Sequence, residues 1–84
     1  NLGHHTAVGD DVFLASGVVT GGSVVIGNRS VVGLGAVVRD GVRIAEESFI
    51  GAGTVVLHDT EPGGVYVGNP ARKLEKSSLE VTGG

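Results

Sequence analysis

A period of six governs this chain. Its lead positions are Leu2, Val8, Leu14, Thr20, Ile26, Val32, Val38, Ile44, Ile50 and Val56, and all but Thr20 are large aliphatics. The next position is Gly at 3, 9, 21, 27, 33 and 51 and Ala at 15 and 45, with Arg39 and Leu57 departing. The fifth position carries Thr6, Val12, Val18, Val24, Ser30, Ala36, Val42, Ser48, Thr54 and Thr60, each small or β-branched. Six residues are too few for a helical repeat. β-branched residues suit a pleated surface, and turn formers separate them at Asp10-Asp11, Ser16-Gly17, Gly22-Ser23, Asn28-Arg29 and Asp40-Gly41. Three such sides close a triangular coil of eighteen residues, and ten hexads make about three coils stacked at roughly 4.8 Å. The lead residue points inward and stacks on the residue one coil on. The small second residue fits a crowded corner. The expected fold is all-β, a parallel β-helix over residues 2–61.

The sixth position of each hexad then points outward. One coil apart, Phe13, Val31 and Phe49 form one column, and Val19, Val37 and Val55 form another. Two neighbouring apolar columns on one surface predict an interface rather than a solvated face. A triangular prism carrying them predicts a closed homotrimer, which also supplies core that 84 residues alone do not.

Composition excludes several classes. A formal net charge of -3 leaves no basic footprint for nucleic acid, and the absence of Cys removes disulfides and thiolate metal sites. No apolar run approaches membrane-spanning length and no signal peptide is visible, so the expected location is cytoplasmic. The chain lacks an initiator Met and starts inside the pattern, which reads as a fragment or processed product.

Residues 62–84 form a C-terminal extension. Pro62-Gly63-Gly64 breaks the repeat, Val65-Tyr66-Val67 is a short extended piece, and Gly68-Asn69-Pro70-Ala71 is a second sharp turn. Residues 71–81 read as a short helix, and Thr82-Gly83-Gly84 as a frayed end.

The continuous hexads, with "IGAGTVVLHD" followed by "VYVGNPARKL", resemble the hexapeptide-repeat acyltransferases, and most closely the sialic-acid and bacillosamine-type sugar acetyltransferases. The resemblance covers residues 2 to about 75. It implies a left-handed β-helix, although the general crossover rule favours the right hand. It also implies transfer of an acyl group, usually acetyl, from coenzyme A to an amine or hydroxyl of a sugar or nucleotide sugar, without a metal. In that group an N-terminal nucleotide-sugar-binding domain usually precedes the β-helix.

Acyl transfer from a thioester needs a base for the attacking group and N–H donors for the oxyanion. The resemblance places the base at a hexad's third position, here His4, with an acid after it. His5 stands in the acid's place, so it is either a substrate-orienting residue or a solvated corner. Asp10, Asp11 or an acid of a neighbouring copy are the candidates to replace the carboxylate. Gly22 lies one coil after His4 and is the implied oxyanion donor, equally explained as a turn glycine. The column Ser16, Leu34 and Ala52 is implied to line the pantetheine channel between two subunits. Arg72 and Lys73 would meet the phosphates of coenzyme A or simply solvate the tail. His58 shares the His4 column three coils away and is read as a surface residue. Two other readings use the same scaffold: a non-catalytic trimeric module, and a metal enzyme like the γ-type carbonic anhydrases, which needs three converging histidines where this chain has an adjacent pair.

Overall fold

The computed structural model describes residues 2–77. Nine two-residue strands, β1 (Ala7–Val8), β2 (Phe13–Leu14), β3 (Val19–Thr20), β4 (Val25–Ile26), β5 (Val31–Val32), β6 (Val37–Val38), β7 (Arg43–Ile44), β8 (Phe49–Ile50) and β9 (Val55–Val56), follow the hexads one for one. Two longer strands come after them, β10 (Gly64–Val67) and β11 (Arg72–Ser77). The strands stack into three sheets, β1-β4-β7, β2-β5-β8-β10-β11 and β3-β6-β9, which form the β1, β2 and β3 sides of a prism. Pairing is parallel with an eighteen-residue offset, as in Ala7↔Val25↔Arg43 and Phe13↔Val31↔Phe49. The result is a left-handed parallel β-helix of about three coils.

The lead and fifth positions fill the prism. Ile26, Val32, Val38, Ile44, Ile50 and Val56 are all at most 1 % exposed, and Val18, Val24, Ala36 and Val42 pack with them. Each fully buried aliphatic of this kind contributes roughly 1.5–3 kcal/mol. The first coil is less covered, with Leu2 48 % and Val8 41 % exposed.

Thr20, the one polar lead residue, is buried with its hydroxyl engaged: it accepts the Gly3 N–H (3.0 Å) and pairs with the Thr6 hydroxyl (3.1 Å). A second hydroxyl set joins Ser48 to Thr60 (2.9 Å), with Ser48 and Ser30 both donating to the Ala45 carbonyl. These buried hydroxyls are affordable because each finds a partner, whereas the Thr54 hydroxyl is buried without one among the described residues.

Two devices turn the corners. The second position is packed against the coil above: a Cβ on Gly27 would sit 2.5 Å from the Glu46 nitrogen. The fourth position adopts left-handed backbone in nine successive hexads, at His5, Asp11, Gly17, Ser23, Arg29, Gly35, Gly41, Glu47 and Gly53, with φ between 57° and 79°. At that turn the fourth-position N–H reaches down to the third-position carbonyl of the coil below, as from Ser23 to His4 (2.7 Å) and from Gly35 to Ser16 (3.0 Å).

The tail continues the coil before it turns back. Gly63 donates to the Glu46 carbonyl, β10 runs parallel to β8, and Val55 and Ala71 bond across the β3 side. Tyr66 packs against the end of the core, and its hydroxyl accepts the Glu61 N–H (2.8 Å). The chain then reverses through Gly68–Ala71, and β11 pairs antiparallel with β10. The helix expected over 71–81 is therefore corrected: its described part is strand, because β10 offers a free ladder edge that outweighs the helical preference of Arg72-Lys73-Leu74-Glu75-Lys76. The rest of that expected helix, and the frayed end, lie outside the described residues.

Candidate active site

His4 and Gly22 sit at the corner between the β3 and β1 sides. The third-position column there runs His4, Gly22, Asp40, His58. The fourth-position bond from the Ser23 N–H to the His4 carbonyl ties His4 to the turn one coil on, and a Cβ on Gly22 would lie 3.5 Å from that same carbonyl. The Gly22 carbonyl accepts the Gly41 N–H (2.9 Å), whereas the Gly22 N–H has no acceptor among the described residues. The third-position N–H groups of Ser16 and Leu34 are likewise unused, so the free amide is a property of the corner. Glycine adds that no side chain covers it.

The His4 side chain is exposed, and its ring makes no hydrogen bond or ion pair among the described residues. The His5 ring centroid is 6.3 Å away at a 48° tilt, too far for a ring-to-ring hydrogen bond. His5 holds φ 62°, the left-handed turn of its corner. Histidine is among the residues enriched in that region, so its place has a backbone reason that neither adjacency nor charge suggests. Asp10 and Asp11 occupy the β1–β2 corner, a full prism side of six residues or roughly 20 Å of extended chain from His4. Neither orients His4 within one chain. His58 is exposed, three coils along the column and roughly 14 Å away.

Ser16, Leu34 and Ala52 form the column of the β2–β3 corner, with Gly17, Gly35 and Gly53 beside them. That edge carries no charge, and Leu34 is 59 % exposed on it. A Cβ on Gly35 or Gly53 would meet nothing within 4 Å, so the edge is smooth and open. Arg72 pairs with Val67, whose side chain lies against Gly51, and so stands at the far end of the same corner. The Lys73 ammonium sits 3.4 Å from the Glu61 carboxylate, an exposed pair. Of the expected donor-binding residues, Ser16, Leu34, Ala52 and Arg72 thus share one edge and Lys73 is turned away to Glu61, while His4 and Gly22 share another edge. The width of the β3 side separates them.

The β1 side carries a groove of about 520 Å³. Small and aliphatic residues such as Ala7, Val25, Gly27 and Ala45 line it together with the polar Asn28, Arg43, Glu46 and Asp59. Sequence reasoning missed it, because it arises from small residues lying in one column rather than from any motif. The described residues hold no group of three or more potential metal ligands.

No protein-family profile matches the chain. A serine acetyltransferase from Mycobacterium tuberculosis is 37 % identical over 84 residues, covering 90 % of this chain and 37 % of that protein. An acyl-[acyl-carrier-protein]–UDP-N-acetylglucosamine O-acyltransferase from Burkholderia lata is 32 % identical over 83 residues, covering 99 % of this chain and 30 % of its own length. Among solved structures, a variant of perosamine N-acetyltransferase from Caulobacter crescentus, in complex with CoA and GDP-perosamine, superposes with a TM-score of 0.86 at 30 % identity, over 88 % of this chain and 35 % of that one. The chain spans about a third of the length of these relatives.

Proposed function

The chain belongs to the hexapeptide-repeat acyltransferases, and from that premise we propose that it carries the catalytic β-helix of an acyl-CoA-dependent transferase. The acyl donor is acetyl-CoA and the acceptor an amino group or hydroxyl of a sugar or nucleotide sugar. The observation that carries the reading is the His4–Gly22 corner, where an accessible imidazole stands one coil from an uncovered, unused backbone N–H. His4 takes the proton of the attacking nitrogen or oxygen as that atom adds to the thioester carbonyl. The Gly22 N–H donates to the oxyanion that forms. As the tetrahedral species collapses, the thiolate leaves and the His4 proton goes to it, so His4 is restored. Ser16, Leu34 and Ala52 line the pantetheine path, and Arg72 meets the donor's phosphates. Lys73 is the weaker candidate, being already paired with Glu61. His5 turns the corner and borders the acceptor. The CoA-bound and nucleotide-sugar-bound state of the perosamine relative supports this choice of donor and acceptor.

Because the two edges lie a prism side apart in one chain, the working unit is a homotrimer closed through the outward apolar columns, and we place it in the cytoplasm. The test is calorimetry with acetyl-CoA, together with His4→Ala turnover on a panel of amino sugars and nucleotide amino sugars. Binding should survive the substitution while turnover falls by about 10²–10⁴-fold. No acetyl-CoA binding at millimolar ligand points to a non-catalytic module, and unchanged turnover removes His4 as the base.

A further inference from the structure

We propose that Arg39 and His58 form a phosphate-binding site at the tail end of the edge that carries His4 and Gly22, taking a phosphoryl group of a substrate that reacts at His4. The two second-position departures from the repeat, Arg39 and Leu57, are eighteen residues apart and stack on this one corner. Elsewhere the second position has no room. A Cβ on Gly21, Gly27 or Gly33 would lie 2.5, 2.5 or 2.7 Å from the backbone nitrogen nineteen residues on, at Asp40, Glu46 and Ala52. Nineteen residues after Arg39 comes His58, so a regular coil would drive the Arg39 side chain into the His58 backbone. The coil is opened there instead. Asp59 lacks the left-handed φ of the nine earlier fourth positions. Its N–H does not reach down to the Asp40 carbonyl as Ser23 does to His4 and Gly41 to Gly22. The step is bridged differently, by the Arg43 N–H on the Asp59 carboxylate (2.9 Å) and the Thr60 N–H on the Arg43 carbonyl (3.0 Å). His58 and Asp59 also line a recess of about 60 Å³ with Tyr66 and Pro70, so the tail does not close this corner. The prism forgoes one corner bond and admits a long basic side chain beneath His58.

Arg39 and His58 are both exposed, and the Arg39 guanidinium makes no ion pair among the described residues although Asp40 follows it. A guanidinium offers phosphate oxygens a planar fork of donors. The imidazole adds an N–H in either tautomer. The substrate that brings the phosphate rests on the proposed function. His58 lies three coils along the column from His4, roughly 14 Å. A pantetheine arm is about as long as four extended residues, ~14 Å from thioester to pyrophosphate. With the thioester at His4, the span fits the adenosine phosphates of the donor. Arg72 stands at that same end of the prism, on the strand added beyond β8 and β10. The diphosphate of a nucleotide-sugar acceptor is the other source of the same chemistry, and it lies nearer its reacting group.

Arg39→Ala restores the small residue that the repeat itself uses at Ala15 and Ala45, so the fold tolerates it, and an unchanged or higher unfolding midpoint checks this. In steady-state assays it should raise KM for acetyl-CoA roughly tenfold, the scale of one lost charged hydrogen bond, with kcat falling far less and Arg39→Lys recovering part. His58→Ala should raise the same KM by a smaller factor, and His58→Asn should recover part. KM for acetyl-pantetheine, which carries no phosphate, should be alike in all of these chains. A rise confined to a nucleotide amino sugar, and absent for the same amino sugar without its nucleotide, keeps the site and assigns it to the acceptor. Equal changes for acetyl-CoA and acetyl-pantetheine, or no change for any phosphate-bearing substrate, overturn the site and leave the transferase standing. If the wild-type chain turns over nothing, calorimetry with coenzyme A and with inorganic pyrophosphate decides. Binding that Arg39→Ala weakens keeps the site and removes the proposed function, whereas equal or absent binding overturns the site as well.

Discussion

At the residue scale, the corner backbone sets the terms on which side chains appear. His5 occupies left-handed φ, which costs a non-glycine L-residue roughly 1–2 kcal/mol. His5→Gly is therefore expected to raise stability by about 1 kcal/mol, read as the midpoint of chemical unfolding. Thr54 presents the opposite case. Its hydroxyl is fully buried in the prism with no partner among the described residues, while Thr20, Ser48 and Thr60 all find one. Thr54→Val keeps the shape and removes an unsatisfied group, so it should be neutral or stabilise by about 1 kcal/mol. Thr20→Val should destabilise by a similar amount, because the Gly3 N–H loses its acceptor. His4 and Gly22 were legible as a stacked pair from spacing alone. The reason for His5 was not, because left-handed corners are written in a scatter of Gly, Asp, Ser, Arg and Glu rather than in one residue type.

At the element scale, strands of two residues have almost no stability of their own. Each is held by the ladder above and below and by its inward aliphatic, so losses depend on how well a coil is covered. Ile44→Ala, at a site 1 % exposed, should cost about 2–5 kcal/mol. Val8→Ala, at 41 % exposure in the first coil, should cost less than about 1.5 kcal/mol on the same unfolding assay. Nine strands were readable because one lead residue and one turn recur in each hexad. The tail was readable only up to Ala71. The residues of β11 favour a helix by composition, and Leu74 and Ser77, its two less exposed positions, are three apart, as on a helix face. What overrides that pattern is the open edge of β10, a tertiary fact that local sequence does not record.

At the scale of the whole molecule, charge is distributed by corner. The β2–β3 corner has none along its coils and meets Arg72 only at its far end. The β1–β2 corner carries Asp10, Asp11, Glu46 and Glu47 against a single Arg29, which bridges Glu47 at 3.1 Å and Glu46 at 3.6 Å, both exposed. Four carboxylates on one edge against a single guanidinium repel one another, so added salt should raise the stability of the chain slightly. The check is the midpoint of chemical unfolding between about 0.05 and about 0.5 M salt, over which the screening length drops severalfold. The columns of the prism were legible because stacking is a matter of counting by eighteen. The groove was not, since a concavity depends on how neighbouring columns differ in size.

The corner ladder also limits how such a molecule can change length. Every stacking contact and every fourth-position bond joins residues about one coil apart. Inserting one residue shears all the columns beyond it. Removing six keeps the backbone pattern but carries each later residue round to a different side, so the His4 edge and the tail hairpin lose their alignment. Only a change of a whole coil preserves every column, and it moves the tail along the axis by roughly 4.8 Å. Prism length is in that sense quantised, and the span from the imidazole edge to the end cap can be retuned only in steps of that size.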